Sequence, residues 1–197
     1  MPRRFPGHHH GIPTDMFTSD DPGVRRLQVD VGQTGFFAGR EFRVFHEYVV
    51  AGTPLVFRVT VPDPPLKGIF LHDLRLTCHQ GGVHLRTYRG GTAGGTWTAK
   101  AVWPNNGIPD IPGYVNSTAV EFGGTRSGGI GPTDAVSVFC NETGKSSTTS
   151  AVLLSGERGL PAGVYFIELT AIAGVSVDSL GEVSAVFEER LPDDSWV

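Results

Sequence analysis

From Phe36 onward, apolar and polar residues alternate along much of the chain. Phe42, Val44, His46, Tyr48 and Val50 fall on one phase, and Arg43, Phe45, Glu47 and Val49 on the other. After Ala51-Gly52-Thr53, the residues Leu55, Phe57, Val59 and Val61 alternate with Val56, Arg58 and Thr60. A period of two is that of a β-strand, whose side chains point to opposite faces in turn. The two runs are therefore expected to pair as a hairpin. Pro62, Pro64 and Pro65 end it, because proline cannot donate to a ladder. Phe70, His72, Leu74, Leu76 and Cys78 are expected to share one face of a third strand, with a turn at Gln80-Gly81-Gly82. Val83, Leu85 and Thr87 then share one face of the fourth, giving a second hairpin.

Further along, a glycine loop at residues 90–96 leads into an expected strand from Trp97 to Trp103, and residues 104–116 form a proline-rich excursion. Strands resume over 118–122 and 135–140, separated by a second glycine loop whose Gly-Gly-Thr echoes the first as a turn habit. Short strand signal follows at 151–154. Tyr165, Ile167, Leu169 and Ala171 alternate with Val164, Phe166, Glu168 and Thr170, and a last strand runs from 182 to 190. With no segment patterned as a long helix, the expected fold is all-β. It is an antiparallel β-sandwich, jelly-roll-like, of eight or nine strands over about residues 33–190. Its expected core includes Phe42, Val44, Phe57, Val59, Leu74, Leu76, Leu85, Val138, Ile167 and Leu169.

Residues 1–32 break this pattern. Pro6, Pro13, Pro22, Asp15, Asp20, Asp21 and the triplet His8-His9-His10 leave little to bury, so residues 1–32 are expected to form an extended N-terminal arm that tethers the domain of residues 33–197. Composition agrees with the strand reading, since 27 glycines and 14 prolines in 197 residues favour turns over helices. Sixteen basic against twenty acidic residues leave a net charge of −4, which offers no field to gather nucleic acid or an anionic membrane. Neither is an expected partner, although Arg3 and Arg4 supply a local basic contact. No apolar run approaches membrane-spanning length, and the N-terminal stretch is read as lacking an export signal.

Chemistry is sparse. Cys78 and Cys140 lack a zinc spacing and fall on apolar strand phases, either as free core residues or as one long-range bridge. His46, His72, His79 and His84 lie on or beside strands without the spacing of a metal site, and are expected to be satisfied interior or interface residues. No G-x-S-x-G elbow accompanies Ser155, and residues 90–96 lack the lysine of a phosphate loop. The expectation is a protein that is not an enzyme, with no cofactor and no metal. Trp97, Trp103, Tyr114 and Trp196 lie in or beside loops and are candidate interface residues, for a protein neighbour or the face of a sugar, together with Arg3, Arg4, His8, His9 and His10.

Four segments in combination carry a resemblance. Gln33-Thr34-Gly35-Phe36-Phe37-Ala38-Gly39-Arg40-Glu41-Phe42-Arg43, the Ala51-Gly52-Thr53 turn, residues 90–96 and Leu160-Pro161-Ala162-Gly163-Val164-Tyr165 resemble small β-rich structural proteins of tailed bacteriophage particles, found as head decoration or in the neck and tail. The resemblance implies a self-associating virion component, made in the host cytoplasm, with no catalytic residue to carry over. It implies contacts with the major capsid protein or other virion proteins and, by analogy with virion sandwiches, a homotrimer. Head decoration suits a domain of this size with an arm, and a tail or neck component that binds host glycan through loop aromatics is the alternative.

Overall fold

The computed structural model describes residues 39–105, 115–140, 149–173 and 178–192, with backbone alone for 149–158. The fold is all-β, with antiparallel sheets and no helix among the described residues. Eight long strands carry it: β1 (Glu41–Val50), β2 (Leu55–Val61), β3 (Gly68–Gln80), β4 (Gly82–Arg89), β10 (Ile130–Phe139), β11 (Thr149–Pro161), β12 (Gly163–Ala171) and β13 (Ser179–Arg190). Among the described residues, five short ones lie between β4 and β10: β5 (Thr92–Gly94), β6 (Thr98–Ala99), β7 (Trp103–Pro104), β8 (Ala119–Phe122) and β9 (Thr125–Ser127).

One sheet has the order β11-β3-β13-β1-β7 and the other β10-β4-β12-β2-β8-β6. Neither expected hairpin forms. β1 pairs with β13 and β7 while β2 pairs with β12 and β8; β3 pairs with β11 and β13 while β4 pairs with β10 and β12. Each turn is instead a corner at which the chain leaves one sheet for the other. Alternation specifies which face of a strand is buried and leaves its neighbour open, which is why the burial pattern survives the change of partner. At the β3–β4 corner Gly81 has φ +72°, and a Cβ there would meet Ser179 Oγ at 2.9 Å, so both conformation and space favour glycine.

The expected strand from Trp97 to Trp103 is also replaced. β6 joins one sheet and β7 the other, so the chain crosses between them over Lys100–Val102. The two glycine loops pair with each other, Thr92 opposite Ser127 and Gly94 opposite Thr125, which gives their echo a structural role.

The inward faces of both sheets share one apolar cluster. Of the expected core, Phe42, Phe57, Leu74, Leu76, Leu85, Val138 and Leu169 are buried, whereas Val44, Val59 and Ile167 are half-buried. Strand β3 departs from its expected phase. A register shift against β13 between Asp73 and Leu71 sends Ile69 and Leu71 inward and leaves Phe70 opposite Glu188, beside His72 rather than in the shared cluster. An extra residue in one strand of a pair reverses the side-chain phase beyond it.

Candidate functional site

Three arrangements stand out: a hollow inside the core, a buried charge cluster, and an apolar row along an open strand edge. The hollow is a cavity of about 370 Å³ between the two large sheets. Val44, His46, Val183, Ala185 and Phe187 contribute from one sheet, and Phe57, Val59, Thr87, Arg89, Tyr165 and Ile167 from the other. Val44, Val59 and Ile167, the three expected core residues that stay half-buried, all line it. It reaches solvent beside β10, where Ile130, Thr133 and Arg89 are exposed and also line the wall. There β10 breaks register with β4 between Ile130 and Asp134, so this stretch of the sheet edge is not laced shut. Inward along β4 runs the row Val83, Leu85, Thr87, Arg89, apolar at one end and polar at the mouth.

Thr87 Oγ1 donates to Asp134 Oδ2 at 2.7 Å and lies 2.7 Å from Thr133 Oγ1. Arg89 has no ion pair or ring contact among the described residues. Deeper in the wall, His46 packs edge-on to Phe57 at 5.0 Å and lies 4.3 Å from Phe122. Its Nδ1 is buried and has no hydrogen-bond partner among the described residues, in contrast to the satisfied histidine expected from its position. Burial, then nearby Lys100, lowers its pKa below the ordinary histidine value.

The charge cluster lies around Glu188, opposite Glu41 on β1 and Phe70 on β3. Its fully buried carboxylate is 3.5 Å from Arg190 Nη1, 3.6 Å from His72 Nε2 and 3.9 Å from Arg40 Nη2. His72 also approaches Glu41 at 3.8 Å, and Asn105 donates to Glu41. Neighbouring Glu189 accepts the backbone amides of Ser117 and Thr118 at 2.9 and 2.6 Å. Arg190 on the same strand and Arg40 just before β1 set opposite charge beside Glu188, and backbone amides hold Glu189, which accounts for the cluster as sheet architecture. No group of three or more His, Cys, Asp or Glu side chains among the described residues is arranged to hold a metal.

On the outer row of β1, Phe45 is 44% and Val49 is 63% exposed. Trp103 of β7, opposite Arg43 on the same face, is 60% exposed. Only Phe42 and Arg43 of β1 are paired to β7, so among the described residues the edge of β1 from Val44 onward has no strand beside it. Alternation already placed Phe45 and Val49 on the outer face; their significance comes from the open edge, which required knowledge of the pairing.

Trp97 is differently employed. Its ring lies 6.1 Å from that of Phe166 and beneath the Arg58 guanidinium at 4.6 Å, while Arg58 bridges to Glu121 at 2.5 Å. A Cβ on Gly124 would fall 2.1 Å from the indole, so a glycine there lets the ring lie against the backbone. Trp97 thus covers Phe166, which is fully buried despite its outward phase. Trp97 and Trp103 lead into different sheets, and no ring contact among the described residues joins them. Arg3, Arg4, His8, His9, His10, Tyr114 and Trp196 lie outside the described residues.

Cys78 and Cys140 are buried and unbridged, with the Cys140 thiol donating to the Cys78 carbonyl. Burial, followed by the neighbouring Cys140, pushes the Cys78 thiol up to about 11, so it stays protonated and weakly nucleophilic at neutral pH. Tyr48, whose hydroxyl donates to Thr77 O at 3.0 Å, is likewise raised by burial. No protein-family model and no curated protein sequence matches the chain.

Proposed function

We propose that the chain is a non-enzymatic structural protein that associates with copies of itself through the open edge of β1, and that it serves as a decoration or cement component on the head of a tailed-bacteriophage particle. The observation that carries self-association is the apolar row Phe45, Val49 and Trp103 beside a strand edge that is unpaired among the described residues. Unpaired backbone donors and acceptors next to apolar side chains form a template for another chain, and self-association is a common way to cover one.

The fold reading is a jelly roll. Its basis is that the long strands change sheet at every connection except β4 to β10, building four-strand sets β11-β3-β13-β1 and β10-β4-β12-β2. That architecture serves viral capsid and lectin domains alike, so it bears on particle assembly only together with the exposed edge and the phage-like segments. A tail or neck protein with a glycan platform has less support, since Trp97 is engaged by Phe166 and Arg58 and leaves Trp103 as the exposed ring among the described tryptophans.

Sedimentation equilibrium over a tenfold dilution series tests the assembly. The expected result is a species of fixed stoichiometry, a trimer, which the double substitution Phe45→Ser and Trp103→Ser converts to monomer with unchanged strand dichroism. A wild-type chain that stays monomeric throughout contradicts the proposal. Its place on the particle is tested by occupancy on heads lacking the native copy, which the same double variant should lose.

A further inference from the structure

We propose that the inter-sheet cavity is a binding site for a single-chain amphiphile with an anionic head, of the medium-chain carboxylate class, with the chain between the sheets and the head at Arg89. The site is separate from the β1 edge and does not depend on the assembly proposal.

The size of the cavity sets the size of the ligand. A dry apolar cavity of about 150 Å³ holds one benzene, so about 370 Å³ corresponds to roughly fifteen non-hydrogen atoms. This suits one alkyl chain of about ten carbons and is too small for a two-chain lipid. The walls fit such a chain, since Val44, Phe57, Val59, Leu74, Ile167 and Ala185 present hydrocarbon. His46, the one imidazole lining the cavity, is kept neutral at pH 7 by burial and so adds no charge to the wall.

The charge of the head follows from the mouth. Arg89 and Asp134 are the two charged residues lining the cavity. Asp134 already accepts a hydroxyl hydrogen bond from Thr87, whereas Arg89 is exposed and has no ion pair among the described residues. A guanidinium presents a planar fork of donors that matches a carboxylate, and such charge-assisted bonds are about twice as strong as neutral ones. The uncommitted partner at the mouth is therefore a cation, and it selects an anion. Entry lies where β10 breaks register with β4.

The test is calorimetric titration of the full chain with decanoate, decanol and decyltrimethylammonium, each below its micellar concentration. Decanoate is expected to bind one per chain with a negative heat-capacity change, the mark of apolar burial. Arg89→Gln should weaken decanoate by about tenfold, the loss of one charge-assisted contact, while leaving decanol unchanged. Ala185→Leu and, from the opposite sheet, Ile167→Phe should each fill the hollow and abolish binding of all three probes, with the melting temperature of each variant showing that it folds. Failure of decanoate to bind overturns the proposal, as does undiminished binding by both folded filled variants. Tighter binding of the ammonium than of decanoate overturns the anionic assignment and points to Asp134.

Discussion

Around Leu85 and Leu169 the space between the sheets is full; two residues further along the same strands, around Thr87 and Ile167, it is hollow. In the full half, Leu76, Cys78, Val83, Leu85 and Leu169 have no solvent exposure. Hydrogen bonds between the sheets close it: Ser179 Oγ donates to Gly82 O at 2.5 Å and accepts from Gly82 N at 3.1 Å, and Cys140 Sγ donates to Cys78 O at 2.5 Å. In the hollow half the inward residues include Thr87 and Ala185, a polar and a small side chain, and the edge strand β10 slips register there. The core is therefore unevenly packed: full around Leu85 and Leu169, hollow around Thr87 and Ile167, and closed again by Val61 and Leu66 beyond the hollow.

That comparison can be broken most severely by truncation. Leu85→Ala should cost about 2–5 kcal/mol, since it removes a fully buried side chain from a packed region that collapses only in part. Ile167→Ala should fall at or below the low end, about 2 kcal/mol, because its side chain already borders empty space and gives up less contact. Urea unfolding of both variants measures the difference; equal losses would mean that the two halves are packed alike.

A smaller effect sharpens the comparison through pH. The folded protein holds His46 at a lowered pKa, so the unfolded chain takes up a proton that the native state resists. Stability from this residue is complete above the ordinary histidine value of about 6.5 and declines as pH falls from there toward the lowered folded value. His46→Phe, placed beside Phe57 and Phe122, should remove that contribution to acid sensitivity. Melting temperatures compared at pH 7 and pH 5 should fall less on acidification for the variant than for the wild type, and an equal fall would place the sensitivity in other groups.

Much of this arrangement was legible before any pairing was known. The phases of β1, β2, β4 and β12 followed directly from alternation, and so did most of the buried residues. Strand partners did not, because a corner glycine such as Gly81 and a hairpin glycine leave the same trace in a sequence. Phe70 and His72 were misplaced by one inserted position in β3, which no local pattern announces. Trp97 belongs with Phe166 by virtue of a contact with Gly124 that only the folded chain creates. Of the sites, Arg89 left the clearest signal, a charge ending an inward row that begins Val83 and Leu85, but its meaning needed the hollow beside it.

Amide hydrogen exchange on the full chain tests the central claim, an unevenly held core, most directly. Amides of Val83, Leu85 and Leu169 should exchange only through global unfolding, while those of Thr87, Val136 and Ile167 should exchange faster, through local opening of the hollow half, and slow when decanoate is present. Uniform protection along β4 and β12, unchanged by decanoate, would contradict the account.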